Sequence, residues 1–170
     1  MNTCKKKILI VDDAEINREI LFEMLKDEYD ILQAKNGKEA IEILTNYHEG
    51  LRLVLLDMNM PEMNGNEVLK IMKDRMWLER IPTICISSDS TDETILKTYE
   101  MGVTDYFTRP FEMDVVKRKI YNTIALYDKN KGNLEDIIGM LSVFFYRILK
   151  INLTTGSYRR KSSKTTSRWV

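Results

Sequence analysis

The stretch Lys5-Lys6-Lys7-Ile8-Leu9-Ile10-Val11-Asp12-Asp13 decides the fold. Four consecutive apolar residues predict a short strand buried on both faces, because a strand with one solvated face alternates apolar with polar residues. The apolar run is too short for the core of an export signal, and it ends in two acids. A parallel sheet covered by helices on both sides is the arrangement that buries such strands.

Four more apolar runs follow along the chain: Tyr29–Leu32, Leu53–Leu56, Thr83–Ile86 and the weaker Tyr106–Phe107. Between the runs, apolar residues recur every three or four positions, which is the period of a helix with one buried face. These sets are Ile16/Ile20/Met24, Ile41/Leu44, Val68/Met72, Ile95/Tyr99 and Val116/Ile120/Ile124. We predict five strand–helix units ending near Tyr127, and therefore a doubly wound α/β domain.

Three of the predicted helices begin with a capping signature, a small polar residue followed three positions later by Glu. The pairs are Asn36 with Glu39, Asn64 with Glu67 and Ser90 with Glu93. The polar side chain accepts a hydrogen bond from a main-chain N–H of the first turn that has no other partner. We therefore expect helices to start immediately after these residues.

The net charge of zero hides two halves of opposite sign. Residues 1–130 carry 18 Lys and Arg against 24 Asp and Glu, whereas residues 131–170 carry 8 against 2. The acidic body argues against nucleic-acid binding by residues 1–127, since that requires Lys and Arg to replace counterions of the phosphates. The basic end is interpreted as a solvated tail, with contact to an acidic partner as the alternative.

We predict a domain at residues 1–127, a linker at 128–133 and a C-terminal extension at 134–170. The extension is predicted to hold a short helix and a hairpin near Gly156, and we interpret it as the start of a truncated output domain. The two cysteines, Cys4 and Cys85, lack a CxxC spacing, so we expect a reducing cytoplasm. No apolar segment is long enough to span a membrane.

Polar residues that follow the predicted strands should converge, because the carboxyl ends of parallel strands meet at one edge of the sheet. These residues are Asp12-Asp13, Asp57, Ser87-Ser88 and Thr108-Arg109-Pro110. Two unit charges about 5 Å apart repel by roughly 3 kcal/mol at an effective dielectric constant of about 20. Either one acid stays protonated or a cation lies between them, and oxygen ligands suit Mg²⁺ better than zinc.

A carboxylate beside Mg²⁺ is also a competent phosphoryl acceptor. Phosphoryl transfer needs an in-line nucleophile and neutralised phosphoryl oxygens more than it needs acid–base groups. Ser87 can donate its hydroxyl to one such oxygen, and Arg109 supplies positive charge. His48 is the only histidine, so the donor should be another protein or a small acyl phosphate.

Three runs of sequence resemble the receiver domain of bacterial two-component response regulators. They are Ile8–Asp13, Leu55–Gly65 (Leu-Leu-Asp-Met-Asn-Met-Pro-Glu-Met-Asn-Gly) and Gly102–Phe111 (Gly-Val-Thr-Asp-Tyr-Phe-Thr-Arg-Pro-Phe), and the resemblance covers residues 6 to 127. It implies a flavodoxin-like five-stranded parallel sheet in the order 2-1-3-4-5.

The resemblance also implies the roles of the site residues. Asp57 would be the phosphoacceptor, and Mg²⁺ would be held by Asp12, Asp13, Asp57 and the main-chain carbonyl of Asn59. Ser87 would be the switching hydroxyl and Tyr106 the switching aromatic residue, and Arg109–Pro110 would be a cis peptide. The domain itself would act as a regulatory switch rather than as an enzyme.

Each of these residues also has a structural alternative. Asp12 and Asp13 could cap a helix, and Ser87 could bond to the backbone at a strand end. Tyr106 could be a core aromatic residue, and Arg109 could form a surface ion pair. Arg109 stands where the family has Lys, and the two cations differ in shape, which leaves the phosphorylation rate open.

The resemblance predicts the partners. A sensor histidine kinase or a phosphotransfer protein would donate the phosphoryl group, and a homodimer would form through the face made by helix 4, strand 5 and helix 5. On that face we expect Ile95, Tyr99, Lys117 and Arg118 at the surface. Two rival functions are a phosphate-independent interaction module and an aspartyl phosphatase, although the phosphatase would need a second acid where this chain has Asn59.

Overall fold

The computed structural model describes residues 5–88 and 91–132 of the chain. Five strands are present: β1 (Lys6–Val11), β2 (Tyr29–Ala34), β3 (Leu51–Asp57), β4 (Thr83–Ser87) and β5 (Asp105–Thr108). They alternate with α1 (Glu15–Leu25), α2 (Gly37–Tyr47), α3 (Gly65–Asp74) and α4 (Asp92–Glu100). A fifth helix, α5, occupies residues 113–132. Every predicted strand is present, and each is longer than its apolar run.

The strands form one parallel sheet in the order β2-β1-β3-β4-β5, as the resemblance implied. The register pairs Val11 with Leu56, Asp57 with Ile86, and Ser87 with Thr108. The carboxyl ends of four strands are therefore aligned at one edge. Hydrogen bonds beyond the strands extend this alignment, since Met58 N donates to Ile86 O and Arg109 N donates to Ser87 O.

The core lies on both faces of the sheet, which explains why the strands are continuously apolar. In β1, Ile8 and Ile10 pack in one buried cluster with residues of α1 and α5, whereas Leu9 and Val11 pack in the other with residues of α2 and α3. These four side chains are at most 1% exposed. At about 25 cal/mol per Å² of apolar surface, such burial stabilises the fold by roughly 1.5–3 kcal/mol for each large side chain.

Two of the three predicted helix caps are confirmed. Asn36 accepts a hydrogen bond from Glu39 N before α2, and Asn64 forms a complete capping box with Glu67 before α3. The third prediction places the helix start too early, because α4 begins at Asp92 after Thr91, whose side chain makes no capping bond. Ser90 lies outside the described residues.

Helix α3 ends in a Schellman arrangement. Trp77 N donates to Met72 O and Met76 N donates to Lys73 O, and Met76 lies in the left-handed region with a φ of 58°. Glycine is the residue most favoured there because a Cβ atom crowds the left-handed conformation. Met76 is 55% exposed, so little apolar packing compensates for this backbone strain.

The segment predicted as a linker is helical over its described part, residues 128–132, because α5 has no proline to end it after Tyr127. The chain divides into two units, Met1–Tyr127 and Asp128–Val170. The predicted helix and hairpin of the C-terminal extension lie outside the described residues. Among the helices of the described ranges, none is both long and apolar enough to cross a membrane.

Candidate functional site

Three carboxylates converge at the carboxyl edge of the sheet. One oxygen each of Asp12, Asp13 and Asp57 lies within 4.8 Å of the others. Asp12 follows β1 and Asp57 ends β3, the neighbouring strand, so the sheet itself holds these two carboxylates together. Asp12 and Asp57 are 1% and 2% exposed, and Asp13 is exposed. The helix-capping alternative for Asp12 and Asp13 is wrong, because the N-cap of α1 is Ala14.

The environment of Asp57 disfavours its charged form. Burial raises the pKa of this carboxyl group to about 6, and the negative charges of Asp12 and Asp13 add to the effect. The Arg109 guanidinium and the main-chain N–H of Asn59 act in the opposite direction and lower the pKa. Asp57 is therefore mostly ionised at neutral pH, although its negative charge destabilises the folded protein.

Arg109 is placed between the two buried acids. Its Nη2 donates to Asp12 Oδ2, and its Nη1 lies 3.4 Å from Asp57 Oδ1. The side chain is 26% exposed and both partner carboxylates are buried, so the alternative of a surface ion pair is wrong. The peptide bond from Arg109 to Pro110 is cis, as the resemblance implied.

Ser87 lies at the same edge of the sheet as the carboxylates, and its hydroxyl accepts a hydrogen bond from Asn59. Ser87 is 1% exposed at the end of β4, and Asn59 Nδ2 donates to its Oγ at 3.1 Å. The same amide nitrogen donates to Ser88 Oγ at 3.3 Å. The sequence singled out Asn59 only for its main-chain carbonyl, and the contact of its side chain with Ser87 and Ser88 is a feature that the sequence did not predict.

Tyr106 occupies the position of a core residue in this structure. It is 7% exposed and belongs to the same buried cluster as Cys85 and Val103. This placement is the one expected for the core alternative, and the switching role of Tyr106 stays a prediction. The neighbouring Tyr99 donates its hydroxyl to Asp105 at 3.1 Å.

The structure adds two residues of α1 that the sequence did not single out. Asn17 Nδ2 donates to both carboxylate oxygens of Asp12, at 3.0 and 3.2 Å. Arg18 Nη1 donates to the main-chain carbonyl oxygens of Asp12 at 2.9 Å and of Asp13 at 3.2 Å. Their positions five and six residues after Asp12, in the first turn of the helix that follows, are the signal that could have found them.

Gly65 allows α3 to begin against the acidic residue of β3. A Cβ atom at this position would lie 2.7 Å from both the carbonyl oxygen of Asp57 and the Cα of Met58. Gly65 N also donates to Met58 O at 3.2 Å. Because the obstructing atoms belong to the backbone, no side-chain rotation can relieve the overlap, and the glycine keeps the Asp57 loop in place.

The donor set fits a hard divalent cation. Carboxylate oxygens on three residues, two of them buried, meet at one edge, and the Arg109 guanidinium contacts two of these carboxylates. Mg²⁺ prefers such oxygen ligands and retains several waters, which the exposed side of Asp13 and Asn59 can admit.

Comparisons with known proteins agree with this arrangement. The family model described as the response regulator receiver domain matches residues 8–121. The chain is 32% identical over 121 residues to the chemotaxis protein CheY homologue of Campylobacter jejuni, covering 70% of this chain and 92% of that protein. It is 37% identical over 122 residues to sporulation initiation phosphotransferase F of Bacillus subtilis, covering 71% and 95%.

Other similar proteins are longer or structurally characterised. A probable cyclic di-GMP phosphodiesterase of Vibrio cholerae is 38% identical over 114 residues, which cover 67% of this chain but only 25% of that protein. Among solved structures, a CheY-like receiver domain protein of Methanospirillum hungatei has a TM-score of 0.67 and 25% identity, covering 74% of this chain and 98% of that one. The chain belongs to the response regulator receiver domain family of two-component signalling.

Proposed function

We propose that this chain is a phosphorylation-dependent switch that accepts a phosphoryl group on Asp57. Mg²⁺ would be held by Asp12, Asp13, Asp57 and the main-chain carbonyl of Asn59. The observation that carries the proposal is the meeting of three carboxylates, the Ser87 hydroxyl and the Arg109 guanidinium at one edge of the sheet. These are an acceptor, a hydroxyl donor and a fixed positive charge, the groups that phosphoryl transfer requires.

In this mechanism the carboxylate of Asp57 attacks phosphorus while the bond from phosphorus to the donor breaks. Its pKa of about 6 leaves it mostly ionised and nucleophilic at neutral pH. Arg109 and the Ser87 hydroxyl donate hydrogen bonds to the transferred phosphoryl oxygens, and the Ser87 oxygen can accept from Asn59 Nδ2 while its proton is donated. When bound, Mg²⁺ neutralises the negative charge that the phosphoryl group brings to an already acidic site.

A phosphoryl donor has an apolar surface beside the site on which to dock. A groove next to α1 is lined by Asn17, Ile20, Leu21, Arg109, Pro110, Phe111 and Met113. Ile20 is 44% exposed and the neighbouring Ile16 is 68% exposed. Asn17 and Arg109 line the groove and also donate hydrogen bonds to Asp12. A sensor kinase or phosphotransfer protein bound in the groove would therefore present its phosphohistidine to Asp57.

Phosphorylation would be transmitted to the face formed by α4, β5 and α5. On this face Tyr99 is 42% exposed, and Lys119 pairs with Asp105 at 3.1 Å. One surface prediction for the face is wrong, because Ile95 is partly buried and packs against the core. Lys117 and Arg118 lie at the surface as predicted: the Lys117 side chain is 43% exposed and pairs with Glu28 at 2.8 Å, and Arg118 is exposed. Dimerisation or partner binding through the face remains part of the proposal.

The proposal is tested by incubating the protein with Mg²⁺ and acetyl phosphate and measuring its intact mass. We expect a phosphoryl adduct on the wild type, none after chelation of Mg²⁺ and none on Asp57→Asn. The matched control is Asp30→Asn, at an exposed position on β2, which should be modified like the wild type. An unmodified wild type, or an adduct that persists on Asp57→Asn, contradicts the proposal.

A second candidate function is a phosphate-independent interaction module. The observation that favours it is Arg109, which bonds Asp12 and approaches Asp57 and so supplies the acidic cluster with a positive charge from the protein itself. This candidate predicts that a partner captured by the wild-type chain also binds Asp57→Ala with unchanged affinity. Loss of that partner with the substitution favours the phosphorylation-dependent switch.

A further inference from the structure

The carboxylate of Asp12 accepts hydrogen bonds from three residues. Its Oδ1 accepts from Ala14 N at 2.9 Å and from Asn17 Nδ2 at 3.0 Å. Its Oδ2 accepts from the same Asn17 nitrogen at 3.2 Å and from Arg109 Nη2. The guanidinium that donates to Oδ2 also approaches Asp57 Oδ1, through Nη1 at 3.4 Å, so the contact at Oδ2 joins Asp12 to the second buried acid.

Asn17 occupies the space between the two oxygens of that carboxylate. Because its amide nitrogen is almost equally distant from Oδ1 and Oδ2, it lies where a cation chelated by both oxygens would have to lie. Asn17 is the third residue of α1, and the bond from Ala14 N to Oδ1 fixes the carboxylate relative to the same helix. A cation can therefore reach Oδ2 by replacing Arg109, whereas chelation requires Asn17 to give up two hydrogen bonds.

We propose that Asn17 is a positioning residue that restricts Asp12 to binding a metal through one oxygen and thereby sets a preference for Mg²⁺ over Ca²⁺. Mg²⁺ requires near-octahedral geometry and is met by single carboxylate oxygens and waters. Ca²⁺ takes six to eight oxygen ligands and often uses both oxygens of a carboxylate. This inference rests on the proposed function, because it assumes that Asp12 is a metal ligand.

The two ions are compared by isothermal titration of the metal-free full-length chain with MgCl₂ and with CaCl₂. The variants are Asn17→Ala and Asn17→Ser, which both remove the amide, and the control is Asn46→Ala at an exposed position on α2. Alanine has a higher helix propensity than asparagine, so the first variant should fold, and circular dichroism checks this. Two variants keep the test valid if one of them is unstable.

In both Asn17 variants we expect the ratio of Mg²⁺ affinity to Ca²⁺ affinity to fall by about tenfold. This is the lower end of the change in metal affinity when a residue that hydrogen-bonds a metal ligand is removed. The control should keep the wild-type ratio of dissociation constants. A parallel loss of both affinities, or no change in either, overturns the role of Asn17 and leaves the proposed function intact. Failure of the wild type to bind Mg²⁺ overturns the proposed function, and this inference with it.

Discussion

Asp57→Asn should stabilise the metal-free protein while it abolishes phosphoryl acceptance. The pKa of Asp57 is about 6 in the folded protein against an ordinary value of 3.8. A difference of that size corresponds to roughly 3 kcal/mol of destabilisation when the group is ionised. Water reaches the site past the exposed Asp13 and Asn59 and screens the charges, so we expect a gain of about 1–2 kcal/mol for the substitution.

The pH dependence of this gain has a definite sign. Because burial raises the pKa of Asp57, the folded wild type binds more protons than the unfolded chain between about pH 4 and pH 6. The protonated form of Asp57 is the one that the folded protein tolerates well. The stability that comes with this protonation is complete below about pH 4 and is lost as the pH rises through about 6. The advantage of Asp57→Asn should therefore be near zero at pH 4 and complete above pH 7.

The assay is urea denaturation in the presence of a chelator at pH 4.5 and pH 8, with Asp30→Asn as the exposed control. Addition of Mg²⁺ at ten times its dissociation constant should return about 1.4 kcal/mol to the wild type alone, since only the wild type keeps all three acids. A variant that is less stable than the wild type at pH 8, or a gain that is equal at the two pH values, refutes this reasoning.

Three further predictions concern packing, backbone strain and docking. Gly65→Ala should destabilise the protein by about 1–3 kcal/mol and slow phosphorylation, because the new methyl group meets backbone atoms at 2.7 Å. The control is Gly50→Ala, whose methyl group would lie 3.7 Å from its nearest neighbour. Equal melting temperatures of the two variants would contradict the prediction. Met76→Gly should stabilise by about 1 kcal/mol in urea denaturation, because it relieves a left-handed conformation at a largely exposed side chain, whereas a loss of stability would contradict this. Ile20→Glu should slow transfer from a phosphorylated histidine protein but not from acetyl phosphate, and parallel effects on both donors would argue against the α1 groove as the docking surface.

The fold could be predicted because its determinants are local. Short apolar runs that end in polar residues specify buried parallel strands, and the acids at the ends of Ile8–Val11 and Leu53–Leu56 fall at one edge whatever the details of the loops. The caps at Asn36 and Asn64 were predictable for the same reason, since a cap bonds within its own first turn. The start of α4 was not predicted correctly, because the residue before this helix, Thr91, makes no capping hydrogen bond with its side chain.

The sequence predicted that the three aspartates of the site would meet, but it did not predict the contacts of the polar groups around them. The position of Asn17, five residues after Asp12 in the first turn of α1, makes it a candidate, but its contact with Asp12 also depends on how closely that turn approaches the end of β1. The placement of Arg109 over both Asp12 and Asp57 depends on the position of the chain after β5. Of the predicted surface positions on α4 and α5, Ile95 failed, because a small error in the rotation of a helix is enough to move a side chain from solvent to the edge of the core.

The most direct measurement of the central claim is peptide mapping by mass spectrometry of the wild-type chain after treatment with acetyl phosphate, with and without a chelator of Mg²⁺. We expect one phosphoryl adduct, on the peptide that carries Asp57, and its loss when Mg²⁺ is removed. An adduct on another peptide, or one that forms equally well without the metal, would contradict it.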